Sequence, residues 1–321
     1  MQYKTKGVVL ISVLLIVLLL SSIAMLIGNN YFVSFKRAQY NEFQTTSLNI
    51  FRNIESLALK KIDNELRFNS KVHARNNPLF LNDFFFELNQ GSVKAKIIDA
   101  ANCFNINSLV QKSKNEFNPN NQNIKVFLKL MSLYEVEPNL ADEAVDQIID
   151  WIDTNSNPRA FGLEDYYYSG PLNNPKEYTG SRMFHDLAEI KSLPAIQKIG
   201  WNLFKDNFCA MPDNLLKLNI NSLKSADYML LTSIFANMEY KDAQYIIDNI
   251  PDEGFKSTSD FKQSFPSYKF DEGIMHIDFS SSSFMLFTTF TYDSFSADSN
   301  SRIYYGANKN SYIISRTYNG I

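Results

Sequence analysis

Residues Val8 to Ile27 read VVLISVLLIVLLLSSIAMLI, without one charged side chain. As a helix this run spans roughly 30 Å, the thickness of a bilayer's hydrocarbon. Ahead of it MQYKTKG carries Lys4 and Lys6, and a basic flank predicts that this end stays cytoplasmic. The alternative is a cleaved secretory signal, with Ser22-Ile23-Ala24 as a small-x-small cleavage site. The residues beyond Ile27 argue against it. No proline occurs before Pro78, and Phe32, Phe35, Phe43, Phe51, Ile54, Leu57, Ala58, Ile62 and Leu66 recur at helical spacing on one face. The pattern predicts one helix of about 60 residues, on the order of 90 Å long. Its first part sits in the membrane and its second part packs on a folded domain.

A chain of 321 residues, 45% hydrophobic and 20% charged, can build one or two domains with sizeable cores. A formal charge of -3 gives no general attraction to nucleic acid. Two cysteines, Cys103 and Cys209, form neither a zinc-type spacing nor a dense disulfide framework. One long-range disulfide and two buried thiols are both compatible with them.

After the long helix, FFFEL (Phe84 to Leu88), a turn-like NQG and SVKAKIID (Ser92 to Asp99) predict a hairpin. From Asn123 to Asp153 the period becomes helical, with Asn139 and Asp142 placed to cap the second of two helices. Helical patterns continue through DLAEIKSL, AIQKIGWNLF, LKSADYMLLTSIFAN, KDAQYIIDNI and STSDFKQSF. Beyond Tyr268 the composition turns to Ile, Phe, Tyr, Thr and Ser between turn residues, as in antiparallel strands. The order predicts an α+β fold: a long amino-terminal helix on an antiparallel sheet, with an all-helical domain inserted between its strands. NINSL occurs twice, at Asn105 to Leu109 and Asn219 to Leu223. So short a match favours local capping over a duplicated unit.

The segment WIDTNSNPRAFGLEDYYYSG (Trp151 to Gly170) concentrates side-chain oxygen in a stretch too broken for regular structure. Counted from Asp153, donors fall at the first, third and fifth positions, and Glu164 is twelfth, as in an EF-hand loop. Pro158 replaces the turn glycine at the sixth position, so a true EF-hand is not expected. Calcium nevertheless accepts six to eight oxygens at tolerant angles. Asp153, Asn155, Glu164 and Asp165 are the strongest candidate ligands, and Asn157 is a weaker one. The competing reading is a hydrated surface loop. His73, His185 and His276 show no zinc-type pairing, Glu164 and Asp165 find no second carboxylate pair for acid/base work, and no glycine-rich phosphate loop is present. FANMEYKDAQYII lacks the paired glycines of a DNA-binding helical hairpin. No catalytic constellation and no nucleic-acid partner are expected.

A short basic leader ending in Gly7 before a long apolar helix resembles the leaders of type IV pilins and type II secretion pseudopilins. In those families the chain is cut by a prepilin peptidase, here between Gly7 and Val8, and the new amino terminus is methylated. The family's glutamate at the fifth position after the cut is replaced by Ser12, a departure typical of the large K-type minor pseudopilins. FNIN, the acidic IIDWIDTNSNPRAFGLEDYYY and LNIN follow in the order found in that group. The resemblance implies a subunit at the pseudopilus tip, a SAM-like helical insertion, bound calcium, and I-type and J-type minor pseudopilins as partners. It also implies contact with the inner-membrane secretion platform and with secreted cargo, and an inner-membrane anchor with a periplasmic folded part. The expected divisions are 1–7 leader, 8–27 membrane part and 28–68 periplasmic part of the helix, 69–110 first part of the pilin-like domain, 111–267 helical insertion and 268–321 returning strands. Competing readings are a minor pilin of a type IV or DNA-uptake system and, from another class, a secreted calcium-dependent hydrolase.

Overall fold

A computed structural model describes residues 6–68, 72–88, 91–114, 116–172, 174–306 and 308–321. Residues 1–5 of the leader, and Asn89 and Gln90 of the expected turn, lie outside the described residues. The helix α1 runs Lys6–Phe68 without a break, about 95 Å at the usual rise. Its buried face is Phe43, Ser47, Phe51, Ile54, Ala58, Ile62 and Leu66, spaced three and four apart so that they fall on one stripe. The stripe begins later than the apolar pattern. Phe32 and Phe35 are exposed, as is Leu57 on the opposite flank.

The next elements are α2 (Pro78–Leu81), β1 (Phe84–Leu88), β2 (Gly91–Asp99), β3 (Phe104–Asn105), β4 (Val110–Ser113), β5 (Glu116–Pro119), α3 (Asn121–Leu133), α4 (Pro138–Ile152) and α5 (Asp165–Tyr168). They are followed by α6 (Pro194–Ile199), α7 (Trp201–Asn207), β6 (Phe208–Cys209), β7 (Leu218–Asn219), α8 (Tyr228–Ile234), α9 (Tyr240–Asp248) and α10 (Thr258–Ser264). The chain closes with β8 (Ile277–Asp278), β9 (Ser283–Tyr292), β10 (Phe295–Tyr305) and β11 (Ser311–Asn319). The expected cap of α4 differs: Pro138 takes the first helical position after Glu137, and Asn139 donates instead to Glu137 Oε1 at 3.0 Å. Proline needs no donor there, and its fixed φ starts the helix without a side-chain cap.

Five strands form one antiparallel sheet in the order β1-β2-β9-β10-β11. The strands that return after the insertion therefore pair directly with the hairpin that precedes it. Alternate residues Val93, Ala95, Ile97, Phe284, Leu286, Phe290, Ala297 and Ile303 are buried, as the two-residue period of strands requires, and they pack with the stripe of α1 in one core. Phe43 stacks on Phe290 with ring centroids 5.8 Å apart, and Phe51 on Tyr318 at 5.9 Å. Buried Glu55 accepts hydrogen bonds from Arg316 Nε at 2.8 Å and Ser301 Oγ at 2.6 Å, so its charge is paired where burial would otherwise be costly.

A second core draws on residues from Phe104 to Ile277, beyond both edges expected for the helical insertion. Two of the extra residues, Phe104 and Ile277, lie in short parallel pairs, β3 with β6 and β7 with β8. A copy of NINSL begins at the last residue of β3 and another at the last residue of β7. Both copies cap: Asn105 and Asn219 accept from the backbone N–H two residues on, at 3.2 and 3.1 Å. They also do more than cap. Fully buried Asn107 donates to the carbonyls of Phe184 and Met211 and accepts from Phe184 N–H. Asn221 does the same with Phe255 and Phe279. The insertion is thus two units with the same clasp, which local capping alone does not explain. Cys103 and Cys209 are joined in a disulfide, their Cα atoms 5.8 Å apart, across the first unit's parallel pair.

Candidate metal centre

Helix α4 carries Asp146 and Asp150 four residues apart, which places both on one face, and ends at Asp153. The chain then folds back onto that acidic end. Arg159 N–H donates to Asp150 Oδ2 at 3.0 Å, Arg159 Nε to Asp146 Oδ1 at 2.6 Å, and Phe161 N–H to Asp146 Oδ2 at 3.1 Å. Gly162 lies so close to Asp150 that a Cβ would stand 1.7 Å from Asp150 Oδ2. Only glycine admits the carboxylate there. The loop leads to Glu164, immediately ahead of α5.

Three carboxylates are buried around this fold-back. Asp150, Asp153 and Glu164 are 0%, 6% and 3% exposed, and Asp150 Oδ1, Asp153 Oδ1 and Glu164 Oε1 are buried with no hydrogen-bond partner. Such oxygens are costly to bury unpaired. Desolvation, reinforced by the Asp153 and Asp146 charges, pushes Asp150 up to about 6. Desolvation, then the charges of Asp150, Asp153 and Asp165, pushes Glu164 up to about 7. Asp153 is raised by burial as well. Arg159, the nearby cation, already pairs with Asp146.

Each expected ligand has a definite place. Asp153 and Glu164 are in the cluster. Asn155 Nδ2 donates to Asp153 Oδ2 at 2.7 Å, and its Oδ1 accepts from Asn157 N–H at 2.8 Å. Asn157 is exposed. Asp165 Oδ1 accepts from Thr179 N–H and Oγ1 at 2.8 and 2.9 Å, so it bears on Glu164 through its charge. Asp150 is not among the expected ligands, although its place three residues before Asp153 on a helix is a legible signal. Among the described residues, no three His, Cys, Asp or Glu side chains stand in a group that could hold a metal ion as they are placed. Mutually repelling carboxylates have reason to stand apart. The donor set of orphaned, hard, anionic oxygens fits a divalent cation such as calcium and offers nothing to a soft metal.

Comparison with known proteins agrees with this architecture. Residues 102–213 match the family model described as type II secretion system protein K. A putative type II secretion system protein K of Escherichia coli is 24% identical over 81% of this chain and 80% of its own length. The type II secretion system protein K of Klebsiella pneumoniae is likewise 24% identical, over 81% and 80%. That of Pectobacterium carotovorum is 29% identical over 56% and 55%. The fold is similar to a chain in the crystal structure of the GspK-GspI-GspJ complex from enterotoxigenic Escherichia coli, with a TM-score of 0.75 at 21% identity, over 88% of this chain and 99% of that one. A membrane-length helix continuing into an antiparallel sheet, interrupted by a helical insertion, is the fold this chain shares with that structural relative. By sequence the chain resembles protein K of the type II secretion system, the K-type minor pseudopilins.

Proposed function

We propose that the chain is the tip subunit of a type II secretion pseudopilus, starting the fibre with I-type and J-type minor pseudopilins and so supporting export of cargo across the outer membrane. It acts by assembly and not by catalysis. The observation that carries the tip position is Ser12. Its Oγ donates to the Val8 carbonyl of its own helix at 2.9 Å, so this side chain satisfies itself in lipid and asks nothing of a preceding subunit. A carboxylate there would need a cation from a predecessor. The leader is cut between Gly7 and Val8 by a prepilin peptidase, the new amino terminus is methylated, Val8 to Ile27 holds the chain in the inner membrane, and the folded part stands in the periplasm near the secretion platform. The complex named for the structural relative, GspK-GspI-GspJ, supports the choice of partners.

Calcium is the proposed ligand of the fold-back. Asp150, Asp153 and Glu164 would hold it through the three orphaned oxygens, with Asn155 beside them. The bound cation supplies positive charge that ties the end of α4 to the loop ahead of α5. The test of the tip reading is Ser12→Glu: the variant should give no gain in fibre assembly or in co-purification with I-type and J-type subunits. Improved assembly would show an internal position with a predecessor and sink the proposal.

A further inference from the structure

Between the membrane-length run and the folded domain, α1 crosses a gap in which it touches almost nothing of the rest of the chain. Burial on α1 begins only at Phe43, and Tyr40 is the first ring to meet the sheet, against Phe295 at 6.1 Å. Within the gap stand Tyr31, Phe32 and Phe35, 71%, 59% and 47% exposed, although the helix's apolar periodicity includes two of them. Lys36 and Arg37 follow, and no Asp or Glu occurs from Val8 to Asn41. This stretch is basic in a chain whose formal charge is -3.

The rise of a helix places these groups relative to the hydrocarbon edge at Ile27. Tyr31 lies about 6 Å beyond it, Phe35 about 12 Å and Arg37 about 15 Å. The headgroup layer is roughly 5–8 Å deep. Helical side chains lean toward the amino terminus, here toward the bilayer. Tyr31 and Phe32 therefore reach back to the hydrocarbon boundary, where amphipathic aromatics are favoured, Phe35 reaches the headgroup layer, and the long Lys36 and Arg37 stems carry their charges back toward the phosphates. Tyr31 stacks on Phe35 at 6.3 Å, and Lys36 Nζ lies 5.9 Å from the Phe32 ring centre. Rings and charges thus form one collar around the helix.

We infer that Tyr31, Phe32, Phe35, Lys36 and Arg37 form an interfacial collar that docks on the anionic phospholipid headgroups of the leaflet far from the amino terminus. The collar sets the depth of α1 and holds the domain a fixed distance above the membrane. It rests on the reading of Val8 to Ile27 as a span, and the experiment separates the two.

Full-length protein is reconstituted at low protein-to-lipid ratio in phosphatidylcholine vesicles with and without phosphatidylglycerol. A bimane fluorophore is placed at Leu18→Cys, Ser34→Cys or Asn41→Cys, one at a time. The native cysteines are disulfide-bonded, so labelling is site-specific. Leu18→Cys quenched by deep doxyl lipid verifies the span; failure there refutes the span and the collar with it. Ser34→Cys should be quenched by shallow doxyl lipid and Asn41→Cys should not. At Ser34→Cys, doxyl-phosphatidylglycerol should quench in preference to doxyl-phosphatidylcholine, by about fivefold for each basic residue engaged. Adding Lys36→Gln and Arg37→Gln should bring that ratio near one while Leu18→Cys stays quenched. A Ser34→Cys label as unquenched as Asn41→Cys, or indifferent to lipid charge, overturns the collar. So does protection of Ser34→Cys that grows with protein-to-lipid ratio, which identifies the occupant as the helix of a second copy.

Discussion

At the residue scale, Glu164 and Asp150 make the acidic fold-back a two-way switch in stability. Their folded pKa values, about 7 and about 6, lie above the ordinary carboxylate values. Without a cation the folded state therefore binds more protons than the unfolded chain between about pH 4 and 7, and stability falls as pH rises through that window. The loss is on the order of 3 kcal/mol for the set as a whole, because its members titrate together. A bound divalent cation favours the ionised forms and removes this loss. The expected outcome is a calcium increment in Tm that is small near pH 5 and large near pH 7.5. Glu164→Gln should melt higher than the parent in chelator at pH 7.5 and gain less from calcium. Thermal scans at both pH values check this. Equal curves with calcium and chelator, with no metal by elemental analysis, would reduce the fold-back to a polar loop.

At the element scale, the two asparagine clasps hold each NINSL turn to the segments that return to it. Asn107→Ala removes an acceptor and two donor contacts in a fully buried site and leaves the Phe184 N–H without that acceptor. The cost should be about 2–4 kcal/mol. Asn221→Ala should cost about the same, and the two losses should add because the clasps share no partner. Denaturant titration of the singles and the double checks this, and an effect of only a few tenths would show that the turns stand by capping alone. The disulfide closes a separation of 106 residues around the first unit. On a chain-entropy account its removal costs about 4–5 kcal/mol. Cys103→Ser with Cys209→Ser should therefore lower the denaturant midpoint markedly, and reductant should do the same to the parent.

At the scale of the whole molecule, α1 is at once anchor and structural strut, and its two halves meet different solvents. Its stretch from Val8 to Ile27 is exposed and uncharged, whereas its second half supplies the buried stripe of the sheet core. If the leader is cut after Gly7, the mature chain begins at Val8 and stays membrane-bound, because the whole span remains attached. Amino-terminal sequencing of membrane-extracted protein should find Val8, and Gly7→Trp should leave full-length precursor. An amino terminus just after Ala24 would instead mark a cleaved signal and remove the anchor.

Elements whose signal is local and periodic are legible in the chain alone. The uncharged run from Val8, the single stripe of α1, the FFFEL hairpin, the helices between Asn121 and Ile152 and the closing strands could all be read, because periods of 3.6 and 2 are written in neighbouring residues. Asp153 and Glu164 were legible as candidate ligands from composition. Tertiary structure alone decided what depends on distant partners. Asp150 joins the carboxylates because Arg159 to Glu164 folds back onto α4, with Gly162 giving way to its oxygen. Cys103 meets Cys209 because β3 pairs with β6. NINSL became a clasp only when Phe184 and Phe255 were brought to the two buried asparagines. A buried polar group is satisfied by whatever the fold delivers to it, and that delivery has no period in the chain.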